Sequence, residues 1–83
     1  MSEAEATAAR HLRKRSFSLA GHRTSVALEP EFWAALEASA RRDGLSLAAL
    51  VARVDATRAD PATPLASALR VFALGAATPP SGR

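Results

Sequence analysis

HRTSVALEPEFWAALEASARRDGLSLAALVARVDATR, residues 22–58, changes its hydrophobic period at Glu29-Pro30, and that change decides the fold. Upstream, Thr24, Val26 and Leu28 alternate with Arg23, Ser25 and Ala27, the period-two pattern of a half-buried strand. Downstream, Phe32, Leu36 and Ala40 recur at helical spacing with Trp33 beside them. Pro30 suits a first helical position, and Glu29 and Glu31 complement the helix dipole there. Leu28 and Trp33 have the spacing of a hydrophobic staple, and Arg41, Arg42 and Gly44 are stop signals. Ser46 then opens a second helix as N-cap, without the acidic partner of a capping box, since Ala49 stands in its place. Leu47, Leu50, Val51 and Val54 form its stripe.

Working outward, Asp60 to Pro64 is a loop, because each of its two prolines bars a helix from running through it. A third helix follows with Leu65, Ala68, Leu69 and Phe72 on one face and Gly75 at its end. On the other side of the decisive stretch, Phe17 and Leu19 alternate with Ser16 and Ser18, but with parity opposite to that of residues 24–28. Either Gly21 absorbs a bulge in one continuous strand, or Ala20-Gly21 is a tight turn and residues 17–19 fold back. Residues 1–14 read as a flexible basic arm, 15–75 as the domain and 76–83 as a disordered tail. No internal repeat is apparent.

Of the chain's apolar residues 21 are alanine, which leaves 19 larger side chains to build a core. A chain this short with so few of them is expected to need a partner subunit. There is no cysteine, and His11 and His22 alone cannot close a zinc site, so neither a metal nor a cofactor is expected. Nor do the serines, histidines and acids form a constellation with a base and an orienting group, so the chain is not expected to be an enzyme. No run approaches a membrane span or a signal peptide, and the expected place is the cytoplasm, away from any membrane. The formal charge is +3, and residues 6–28 carry Arg10, Arg13, Lys14, Arg15 and Arg23 with no acid. That asymmetry favours a polyanionic partner.

The order strand, helix, glycine-containing turn, helix over residues 22–58 resembles the ribbon-helix-helix proteins, the class of the Arc and methionine repressors. GHRTSVALEPEFW, then GLSLAALV, then SALRVF resemble a group of short bacterial proteins predicted to carry this DNA-binding domain with a C-terminal helix. The resemblance implies a mainly α fold with one β-strand. Two chains would form an intertwined homodimer with an intermolecular two-stranded antiparallel ribbon, plus the third helix.

It also implies sequence-specific binding of double-stranded DNA by the ribbon in the major groove, as a repressor of transcription. Alternation then puts Arg23, Ser25 and Ala27 on the base-reading face. Ala27 departs from the family, many of whose members carry a longer polar residue there. The turn of Leu45, Ser46 and Leu47 would hold a phosphate on the second helix's N-terminus, with Lys14, Arg15 and His22 as further phosphate contacts. Val26, Leu28, Phe32, Leu36, Leu47, Leu50, Val51 and Val54 would form the dimer core. The alternative function is a protein-interaction module, an antitoxin or adaptor, that dimerises in the same way and binds a partner protein.

Overall fold

The backbone changes from extended to helical at Glu29, which is the N-cap of the first helix with Pro30 behind it. In the computed structural model, which describes residues 12–77, five elements follow in order. They are strands β1 (Arg13–Leu19) and β2 (His22–Leu28) and helices α1 (Pro30–Arg42), α2 (Leu47–Thr57) and α3 (Leu65–Ala77). The strands pair antiparallel within the chain, from Arg13 opposite Leu28 to Leu19 opposite His22. The expectation of one strand is therefore corrected: there are two, and within this chain they pair with each other as a two-stranded antiparallel ribbon.

The turn explains the parity of the two runs. Ala20 and Gly21 both have positive φ, 52° and 85°, as the two-residue hairpin turns that match strand twist require. With only two residues in the loop, odd positions of β1 face even positions of β2, so Phe17 and Leu19 share a face with Val26 and Leu28. The opposite parity is thus the signature of a fold-back, and no bulge is needed.

The helix boundaries follow from local chemistry. At the end of α1 the amide of Leu45 donates to the Ala40 carbonyl at 2.8 Å and that of Gly44 to Arg41 at 3.1 Å, with Gly44 at φ 69°. This is the pair of bonds that closes a helix on a left-handed glycine. Ser46 caps α2 by accepting from the Ala49 amide at 3.0 Å. Glu29 reaches across to α3, where Arg70 bonds its carboxylate at 3.1 Å. A hydrogen bond with its own backbone is the main cause that holds the Glu29 carboxyl below its ordinary pKa; the cost of burial opposes it, and the hydrogen bond and charge of Arg70 add to the lowering.

The core lies between the inner face of the hairpin and the three helices. It gathers Phe17, Leu19, Val26 and Leu28 from the strands, Trp33, Leu36 and Ala40 from α1, Leu50, Val51 and Val54 from α2, and Leu65, Leu69 and Ala73 from α3. Six of the eight residues expected in a dimer core, Val26, Leu28, Leu36, Leu50, Val51 and Val54, are buried here within one chain. Phe32 and Leu47 pack against them partly exposed. Arg13 and Lys14, assigned to the arm from sequence, belong to β1; residues 1–11 of that arm and 78–83 of the expected tail lie outside the described residues.

Candidate nucleic-acid interface

A two-stranded ribbon with one face buried turns the other to solvent, and the register determines which side chains lie there. Opposite pairs on the outer face are Lys14 with Ala27, Ser16 with Ser25, and Ser18 with Arg23. All are exposed except Ala27, which is half-buried. Lysine, arginine and three serines make this a face of hydrogen-bond donors with no acid on it. Ser16 and Ser25 bond to each other across its centre, Oγ to Oγ at 2.9 Å.

Arg23, Ser25 and Ala27 lie where alternation put them. Three further members of the face, Lys14, Ser16 and Ser18, come from β1, and two of these, Ser16 and Ser18, were not singled out from the sequence. The signal for them was present: a two-residue turn combined with the parity switch specifies every opposite pair in advance.

Arg15 is on the other side. Its guanidinium bonds the Glu37 carboxylate at 2.8 Å and lies over the Trp33 ring, 5.0 Å from the centroid. Both partners belong to α1, so this cation, expected on a phosphate, is used to bind the ribbon to the helix beneath it. The Trp33 indole donates through Nε1 to the Arg13 carbonyl at 2.8 Å and meets Phe17 with ring centroids 5.9 Å apart. The ribbon therefore has a supported rather than a floating base.

His22 is exposed at the start of β2, opposite Leu19 beside the turn. Leu45 and Leu47 are half-buried around the exposed Ser46, whose hydroxyl is engaged as a cap. Capping leaves other first-turn amides of α2 unpaired, as at any helix N-terminus. Arg41 and Arg42 are exposed in the last turn of α1, just before this turn.

The remaining basic side chains are divided. Arg58 pairs with Asp55 at 2.9 Å and Arg70 with Glu29, whereas Arg13, Lys14, Arg23, Arg41, Arg42 and Arg53 have no acidic partner among the described residues. No group of three or more metal-ligating side chains occurs among the described residues. No helix among them is long and apolar enough to cross a membrane.

The family described as "Ribbon-helix-helix domain" matches residues 12–77, from the residue before β1 to the end of α3. The chain belongs to the ribbon-helix-helix domain family. No curated protein and no solved structure matches it. In this ribbon-helix-helix domain the ribbon is β1 with β2, and the two helices that follow are α1 and α2. Helix α3 lies within the family match and contributes Leu65, Leu69 and Ala73 to the core, so it is part of the domain and not an appendage.

Proposed function

We propose that the protein binds double-stranded DNA sequence-specifically, with the outer face of its ribbon in the major groove, and acts as a repressor of transcription. The observation that carries this reading is the outer face itself: Lys14, Ser16, Ser18, Arg23 and Ser25 side by side, all donors, with no carboxylate among them. Such a face repels nothing on a polyanion and matches base edges that present acceptors and methyl groups. The family supports it, since ribbon-helix-helix domains typically bind DNA or serve in regulators and antitoxins, and generally dimerise. In this reading the protein is a bacterial, cytoplasmic homodimer without catalytic activity, and each chain brings its own ribbon. The turn of Leu45, Ser46 and Leu47 with Arg41 and Arg42 holds a phosphate, and His22 can add a contact beside the hairpin turn.

The test is footprinting of the purified protein on DNA upstream of its own gene, with random duplex as competitor. A protected site with interference from methylation at guanine N7, in the major groove, is the expected result. Equal affinity for random DNA with no protected site would refute sequence-specific binding.

One observation favours the second reading, an antitoxin or adaptor. Val71 and Leu74 on α3 are 70% and 60% exposed, beside a groove of about 450 Å³ lined by Val54, Thr57, Ala68, Val71 and Phe72. If a partner protein covers it, Val71→Asp should abolish that association and leave DNA binding intact.

A further inference from the structure

The two strands of the ribbon carry the same outer face twice. A two-fold axis through the centre of an antiparallel hairpin exchanges its strands, and here it passes between Ser16 and Ser25, which are paired opposite each other. That operation takes Lys14 to Arg23, Ser16 to Ser25 and Ser18 to Ala27. The order cation, serine, small residue is therefore repeated nine residues later, RKRSFSL against HRTSVAL. The repeat escapes a scan of the sequence because it is short and because conservative pairs replace identities.

Which parts of the match are informative follows from what packing demands. Phe17 matches Val26, and Leu19 matches Leu28, but any hairpin with one buried face does this, so these pairs carry no weight. On the inner face the symmetry is broken where packing is free to break it: Arg15, paired with Glu37, corresponds to Thr24. On the outer face, where the core imposes nothing, cation corresponds to cation and serine to serine. A symmetric ligand is the simplest reason for that face to be symmetric.

We infer that a single chain carries a complete reading face with internal two-fold pseudo-symmetry, and that it takes a quasi-palindromic DNA element with a guanine at each end on opposite strands. The inference rests on the DNA-binding reading above and adds the class of site and the residues that set it. Lys14 and Arg23 lie at opposite ends of the outer face on opposite strands of the ribbon, four residues apart along the strand direction. At about 3.4 Å per residue they are about 14 Å apart along the ribbon. With a base rise of about 3.4 Å that is about four base steps, so an element of about five base pairs counting both ends. Both side chains pair best with guanine O6 and N7, and the two-fold puts those guanines on opposite DNA strands. The central serines spend one hydroxyl proton on each other, which leaves a donor and acceptor capacity for the middle pairs. Ser18 and Ala27, being small, let the backbone approach. The ends are not equal: the arginine fork is bidentate and lysine is a point charge, so the Arg23 end discriminates more.

Selection of bound sequences from a randomised duplex, followed by titration of a short duplex holding one selected element, tests this. One element bound per chain is expected, with Arg23→Ala relaxing preference at one end by roughly 5- to 150-fold and Lys14→Ala relaxing the other by less. Lys14→Arg should make the two ends equal. Circular dichroism checks that each variant is folded. Two chains per element, or Lys14→Ala weakening all duplexes alike, would overturn the inference while leaving DNA binding in place. Retention of no duplex at all would refute the DNA-binding reading and this inference with it.

Discussion

Trp33 shows how much of the interface's geometry depends on one residue outside it. Its indole is 2% exposed, donates to the Arg13 carbonyl, meets the Phe17 ring and underlies the Arg15 guanidinium. Three links thus run from α1 to β1, the strand that, among the described residues, is joined to the helices only through β2. Removing the ring leaves a cavity and an unpaired carbonyl at the strand's start, so Trp33→Ala should lower stability by about 3–5 kcal/mol. Glu37→Gln, which touches only a half-exposed ion pair with side-chain exposures of 41% and 39%, should cost no more than about 1 kcal/mol. Urea denaturation of both variants checks the contrast; a large loss from Glu37→Gln would mean that the ion pair, and not the indole, holds the ribbon. From the sequence, Trp33 was legible as a core residue through its spacing from Leu28. Its bond to Arg13 was not, because a contact across 20 residues needs the register of the hairpin first. Arg15 was misplaced for the same reason: in a run of basic residues, only knowledge of which face each occupies separates the one that pairs inward.

At the scale of elements, the starts of the helices and the end of α1 were readable nearly to the residue, because caps and stops are local chemistry, whereas α3 runs through Gly75 to Ala77, past the end expected for it. Ser46 and Gly44 do what their types suggest, and α1 ends at Arg42, where the stop signals cluster. The strands were readable as strands but not as partners. Opposite parity at residues 17–19 and 24–28 left bulge and turn open, and the choice between them decides whether the chain has half a ribbon or a whole one. The turn that settles it is tuned less well than it could be. A Cβ at Gly21 would meet nothing within 4 Å, so the cost of Gly21→Ala is the left-handed backbone alone, about 1–2 kcal/mol. Ala20 already bears such strain at φ 52°. Ala20→Asn, giving the Asn-Gly pair that such turns prefer, should stabilise the fold by relieving part of a left-handed cost of about 1–2 kcal/mol. Thermal melts of the two variants should therefore move in opposite directions. If Gly21→Ala were neutral, the turn would not hold both residues at positive φ.

The whole molecule revises the argument from size. Nineteen large apolar residues and one unpaired strand imply a chain that folds only with a partner. The premise about the strand is what fails, since β1 closes the ribbon and α3 closes the core beneath it. Thirteen buried apolar residues, from all five elements, meet inside one chain, and the Arg70 to Glu29 pair joins α3 back to the start of α1. A chain closed in this way is predicted to fold without a partner, and a homodimer would then add to stability by mass action. Dilution separates these cases. At concentrations where sedimentation finds only monomer, the helical circular dichroism should persist and melt cooperatively, with a midpoint that no longer changes on further dilution. Leu69→Ala, which hollows the contact of α3 with the core, should lower that monomer midpoint, at a cost of about 2–5 kcal/mol. If instead helicity vanished as the dimer dissociated, the hairpin would not be closed within the chain, the strands would be exchanged between two copies, and each reading face would belong to a pair of chains.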